Sequence, residues 1–185
     1  GEQIGTENVK EGDHIKVYVS EVKIMDKGPK IMISRSHPNF VKKLFESEIP
    51  EINDGTVEIK SVSREAGSRS KIAVFSHNPN VDAVGSCIGS HGSRLSAIIE
   101  ELGGEKIDLI EYSDEPEKYV AAALAPANVI KVEFDPEVPG VCRATVPDNQ
   151  LSLSIGNRGQ NVRLAAKLTG YKIDIRPESG FYGEN

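Results

Sequence analysis

Two short stretches of this chain have the residue types needed to hold a phosphate-bearing polymer: Ile88-Gly89-Ser90-His91-Gly92 and Ile155-Gly156-Asn157-Arg158-Gly159, offset by 67 residues. Glycine has no Cβ, so backbone at these positions can press against a sugar-phosphate chain and adopt unusual dihedral angles. A helix opening directly after such a loop adds free N–H groups and the positive end of its dipole, and both favour phosphate. Two glycines three apart mark only a turn when they stand alone. Here the same pattern returns at the same point of a repeated element order, and the second copy lies in a basic stretch. Between residues 140 and 173, Arg143, Arg158, Arg163, Lys167 and Lys172 face the single acid Asp148, in a chain of formal net charge −6. A charge cluster alone is usually a solvated face; one that coincides with a glycine loop points to a nucleic-acid strand.

The residues expected to meet that strand follow from these roles. Gly89, Gly92, Gly156 and Gly159 supply backbone clamps, and Ser90, His91, Asn157 and Arg158 form the loop tips beside phosphate. Ile88 and Ile155 wall a groove for bases; Arg94, Arg163, Lys167 and Lys172 steer and neutralise the strand. Arg64, Arg69 and Lys71, in and beside a polar loop, read equally well as strand contacts or as solubility residues.

The elements that must position these loops repeat as well. A helix opens at Pro38, a favoured first helical residue, with Phe40, Val41, Leu44 and Phe45 on one side. The design returns at Pro116 with Tyr119, Val120, Ala123 and Leu124. Each helix leads to two strands, 57–62 and 72–75 around a polar loop at 64–70, then 129–134 and 141–146 around 135–140. A short helix and the glycine loop follow, then a helix whose apolar stripe is Leu95, Ile98, Ile99, Leu102 in the first copy and Val162, Ala165, Ala166, Thr169 in the second. Gly103 and Gly170 end those helices, and the closing strands carry Lys106-Ile107-Asp108 and Lys172-Ile173-Asp174. The order is α-β-β-α-α-β twice, an α+β fold with units at 37–112 and 113–177. Upstream, 14–22 alternates with Ile15, Val17 and Val19 on one face, Lys27-Gly28-Pro29 predicts a turn, and Ile31 and Ile33 mark a second strand. A lone hairpin is marginal, so residues 1–36 are expected to be the end of a β-barrel. The polar tail 178–185 is expected to fray.

Other functions find little support. At 38% apolar and 27% charged the composition is that of an ordinary globular protein. No run approaches the roughly 20 apolar residues that span a bilayer, and no signal-peptide pattern opens the chain, so a cytoplasmic protein without membrane contact is expected. Cys87 and Cys142 lack any CxxC partner, which predicts buried thiols and no cofactor or metal. His14, His37, His77 and His91 are scattered, and no hydrolase, metalloprotease or phosphate-loop motif appears. Cys87 and His91 are four apart, but a buried thiol near an exposed loop histidine accounts for them without catalysis. The sequence predicts a binding protein, not an enzyme.

The arrangement resembles the KH family of RNA-binding modules in its type II strand order, and the pair is similar to the tandem KH segment of the NusA family of bacterial transcription elongation and antitermination factors. Three passages carry the likeness: Asp82-Ala83-Val84-Gly85-Ser86-Cys87-Ile88-Gly89, Glu101-Leu102-Gly103-Gly104-Glu105-Lys106-Ile107-Asp108, and Ile155-Gly156-Asn157-Arg158-Gly159-Gln160-Asn161-Val162-Arg163-Leu164-Ala165. Residues 11–35 are similar to the last strands of the OB-type module that this family places before its KH pair. The resemblance implies a monomer that binds single-stranded RNA, the nascent transcript, and acts on polymerase pausing, termination and antitermination. Contacts with RNA polymerase and other transcription factors are implied mainly for regions outside this sequence. A KH-bearing RNA-processing or ribosome-associated protein is the alternative, although RNA-degrading relatives place one KH module before an OB-type module. A protein-interaction scaffold is a further alternative, left open by the acidic stretch 114–117 and the less basic first loop.

Overall fold

The computed structural model describes residues 2–180; of the tail expected to fray, 181–185 lie outside the described residues. Strands β1 (Tyr18–Met25) and β2 (Gly28–Ser34) form an antiparallel hairpin with a bulge at Ser20. The first strand starts at Tyr18, later than the alternation at 14–22 predicts, and the turn falls on Asp26-Lys27. Gly28, at φ 110°, completes that turn where a side chain would be strained, and Pro29 already pairs with Ile24 in β2. The hairpin's apolar residues stay exposed, Ile24 at 92%.

The first unit runs α1 (Pro38–Glu48), a short α2 (Pro50–Asn53), β3 (Val57–Glu65), β4 (Arg69–Ser76), α3 (Ala83–Ile88), α4 (Ser93–Glu101) and β5 (Lys106–Glu111). The second runs α5 (Pro116–Ala123), β6 (Lys131–Phe134), β7 (Val141–Val146), α6 (Leu151–Ile155), α7 (Gln160–Thr169) and β8 (Lys172–Pro177). Each sheet has three strands, ordered β3-β4-β5 and β6-β7-β8; the first pair is antiparallel and the Lys-Ile-Asp strand joins in parallel. Apart from the short α2, this is the α+β order α-β-β-α-α-β, twice.

Phe40, Val41, Leu44 and Phe45 of α1 pack with Ile59, Ile72, Val74, Ile98 and Leu102 in the first core. Each such side chain contributes about 1.5–3 kcal/mol when fully buried. Ile4 is buried in the same core, and Arg35 N–H donates to the Glu2 carbonyl, so the chain's first residues are tied to this unit and not to the hairpin alone. The second core gathers Tyr119, Val120, Ala123, Leu124, Cys142, Ala144, Val146, Ala165, Leu168 and Ile175.

Helix α7 corrects the predicted stripe. It buries Asn161, Leu164, Ala165 and Leu168, while Val162, Ala166 and Thr169 are only half-buried. The cause is tertiary: α7 packs on α5, α6 and β8 of its own unit and also on β3 and β4 of the first, so two of its faces are covered. The units share one seam, because Ala73 and Ile110 on the outward side of the first sheet belong to the second core.

The polar loop predicted at 64–70 is also shorter, since β3 runs to Glu65 and β4 resumes at Arg69. The Arg64 side chain is wholly buried with that of Glu105, Nε donating to Oε1 at 2.9 Å and Nη1 to the Arg35 and His37 carbonyls. Arg69 makes a two-pronged contact with Asp108, at 2.7 and 2.8 Å. Lys71, fully buried, donates to Asp108 at 2.9 Å and across the seam to the Ala125 carbonyl at 2.6 Å. All three cations are structural.

Candidate nucleic-acid interface

The two glycine loops have the same backbone. Gly89 stands at φ 74°, ψ 176° and Gly156 at 80°, 170°; His91 at 52°, 27° and Arg158 at 51°, 32°; Gly92 at 75°, 12° and Gly159 at 73°, 15°. His91 and Arg158 are the non-glycine residues at positive φ among those described. That conformation costs roughly 1–2 kcal/mol for a residue with a Cβ, and such strain persists where surrounding structure imposes it.

The glycines of each pair are needed for different reasons. A Cβ on Gly89 would come within 2.7 Å of Arg94 Cγ, and one on Gly156 within 2.7 Å of the Asn161 backbone nitrogen. A Cβ on Gly92 or Gly159 would meet nothing nearer than 3.9 Å. The first glycine therefore lets the following helix close on the loop, and the second leaves the backbone open to the outside. Gly89 and Gly92 N–H groups donate within the helix and loop, as do those of Gly156 and Gly159. Each loop thus leaves its backbone open at the start of a helix, a geometry suited to an anion.

The expected side chains divide into two groups. Ser90, His91, Asn157, Arg158, Lys167 and Lys172 are exposed. Ile88 is also exposed, Ile155 is half-buried, and Leu153, which the sequence did not single out, is exposed one turn before the second loop. Helix α3 packs beside β5 and α6 beside β8, so each loop stands next to a sheet's edge strand. Arg94 and Arg163 are otherwise engaged. Arg94 Nη1 donates to Glu51 at 2.7 Å and to the Ser86 carbonyl at 2.8 Å. Asn161, at the matching position of the second unit, donates to the Ser154 and Leu124 carbonyls. Both residues latch the helix after the loop to the helix before it.

Arg163 Nε donates to Glu65 Oε1 at 2.7 Å and Nη1 to the Arg158 carbonyl at 3.0 Å. Gln160 Nε2 adds bonds to Glu65 Oε2 at 2.8 Å and Ser68 Oγ at 2.7 Å. The hydrogen bonds from Arg163 and then Gln160 hold the Glu65 carboxyl below its ordinary range. Burial pushes the Cys87 thiol up to about 12, so it is an inert thiol near His91 and not a nucleophile. Among the described residues no group of three His, Cys, Asp or Glu side chains could hold a metal ion, and no helix is long and apolar enough to cross a membrane.

Comparison with known proteins agrees with this geometry. The NusA-like first KH domain matches residues 35–112, and the NusA-like second KH domain matches residues 116–182. The chain belongs to the NusA family. It is 57% identical over 178 residues to the transcription termination/antitermination protein NusA of Halalkalibacterium halodurans, covering 96% of this chain and 46% of that protein. The NusA of Bacillus subtilis is 55% identical over 178 residues, covering 96% and 48%, and that of Thermus thermophilus 51% over 172 residues, covering 93% and 44%. The chain spans about half the length of the curated NusA relatives it matches. A solved structure titled crystal structure of APE1850 shares the fold, with a TM-score of 0.55 at 23% identity over 75% of this chain and 97% of that one.

Proposed function

We propose that this NusA segment holds single-stranded RNA, one stretch of the strand at each glycine loop, and so contributes transcript contacts to transcription termination and antitermination, the activity its relatives' names carry. The observation that carries the reading is the pair of matching loops, each with a strained tip residue and an open second glycine at the start of a helix. In this reading the loop backbone and the tips Ser90, His91, Asn157 and Arg158 receive phosphate, while Ile88, Leu153 and Ile155 flank the bases. Arg158, Lys167 and Lys172 make the second loop the more cationic. Arg94 and Arg163 act indirectly, by holding the loops in shape. The exposed apolar hairpin β1-β2 is read as part of an OB-type module, and contacts with RNA polymerase are assigned to the remainder of the longer relatives.

The test is the salt dependence of binding to single-stranded RNA. A KH module clamps about four nucleotides, and each phosphate neutralised on a single strand contributes about −0.7 to the slope of log K against log salt. A slope of about −6 is expected when both loops neutralise the phosphates they clamp, and about −3 when only one does. A slope near zero, or no binding at low salt, would turn the reading toward a protein-interaction scaffold.

A further inference from the structure

The second loop is not supported by its own unit alone. Its helix α7 starts with Gln160, whose amide bonds Glu65 and Ser68 at the β3-β4 hairpin tip of the first unit. One turn on, Arg163 grips the other oxygen of Glu65 and passes the hold to the carbonyl of Arg158, the strained tip residue at φ 51°. One carboxylate therefore anchors both side chains that fix the start of α7, and one of them restrains the loop tip. The first loop has no such brace: the positions matching Gln160 and Arg163 are Ser93 and Ser96, whose side chains are too short to span a comparable gap. Its support is the internal latch from Arg94 to the Ser86 carbonyl.

We infer that Glu65, aided by Ser68, is a positioning residue for the second RNA clamp, so that the second loop takes its binding shape only when docked on the hairpin tip of the first unit. The inference rests on the clamp reading above. It gives the tandem arrangement a physical purpose: the second loop is shaped by the neighbour whose own loop holds the adjoining stretch of strand. It also explains why Arg163, a cation beside the loop, is spent on a carboxylate of the other unit.

The test uses the full chain and a fluorescent single-stranded RNA of about 12 nucleotides. With the first loop disabled by Ser90→Asp and His91→Asp, remaining affinity reports on the second. Adding Glu65→Ala is expected to weaken binding about fivefold, and Glu65→Gln, which keeps one acceptor, by less. With the second loop disabled instead, by Asn157→Asp and Arg158→Asp, that fivefold loss should vanish, the non-additivity expected of coupled residues. Backbone amide NMR signals of Arg158 and Gly159 should shift in Glu65→Gln while those of Gly89 and Gly92 stay. A Glu65→Ala variant that binds equally well in the first background overturns the inference, and tighter binding overturns it too, by showing that Glu65 competes with phosphate for Arg163. If neither pair of loop substitutions weakens RNA binding, the clamp reading fails and takes this inference with it.

Discussion

Replacing Asp108 by asparagine removes one negative charge from the seam between the units and leaves its shape intact. Asp108 accepts two bonds from Arg69 and one from Lys71, and Lys71 is fully buried with the Ala125 carbonyl as its other acceptor. Burial pulls the Lys71 ammonium below its ordinary range, against the opposing pull of Asp108. In the variant the ammonium either stays charged without a counter-charge or gives up its proton. The second route sets a ceiling: from an ordinary value of 10.5, discharging a lysine costs about 5 kcal/mol at pH 7 and about 2 kcal/mol at pH 9. The expected loss at pH 7 is therefore about 3–5 kcal/mol, shrinking by roughly 2–3 kcal/mol at pH 9. The sign follows from linkage. With Asp108 gone, the native Lys71 value falls further below the unfolded one, so the unfolded state binds more protons and the variant gains stability as pH rises through that window. Burial pushes Cys87 and Tyr119 up to about 12 and Cys142 up to about 11 in the folded state, and the ionisation of the unfolded thiols, common to wild type and variant, cancels in the difference between them. Urea unfolding of wild type and variant at both pH values, at constant ionic strength, gives the comparison. A loss under about 1 kcal/mol at pH 7, the scale of an exposed pair, or a loss that does not change with pH, refutes the reasoning.

Other perturbations separate the parts of the structure. Gly156→Ala should cost about 2–4 kcal/mol, since its Cβ meets the Asn161 backbone at a positive φ, while Gly159→Ala, facing open space, should cost about 1 kcal/mol; thermal melts distinguish them. Arg64→Ala leaves Glu105 buried without its cation and takes a donor from the Arg35 and His37 carbonyls, for a loss of about 3–5 kcal/mol by denaturant unfolding. Acid should loosen the seam: burial raises the Asp108 carboxyl, but the Arg69 bond and the Lys71 charge outweigh it and hold the group low, as the Arg163 and Gln160 bonds do for Glu65. Depressed carboxylates contribute stability above the unfolded value, about pH 4, and lose it as pH falls through the folded one. Unfolding free energy should therefore drop from about pH 5 downward, and less steeply in Asp108→Asn.

The repeat was the most legible feature. The glycine loops, the helix starts at Pro38 and Pro116 and the matching Lys-Ile-Asp strands are local patterns, fixed by residue type over a few positions, and they appear where the sequence places them. What stayed hidden depends on distant partners. Arg64, Arg69 and Lys71 read equally as strand contacts or solubility residues until Glu105 and Asp108 are brought to them from roughly forty residues away. Ile4 falls in the stretch expected to end a β-barrel, yet it fills the first core. The stripe on α7 was misread because a helix between two sheets buries two faces, and one apolar period cannot describe both. The loops themselves were legible, but the engagement of Arg94 and Arg163 was not, since a long cation near a glycine loop has the same sequence signature whether it faces phosphate or a carboxylate.

The claim that both glycine loops hold RNA is tested most directly by measuring Kd for a single-stranded RNA with wild type beside the fourfold variant Ser90→Asp, His91→Asp, Asn157→Asp, Arg158→Asp. All four side chains are exposed and aspartate tolerates the left-handed backbone at residues 91 and 158, so circular dichroism should show the fold unchanged. The account expects the folded variant to lose at least about tenfold in affinity, because each carboxylate repels the phosphate its loop would cradle. A folded variant that binds as tightly as wild type contradicts it.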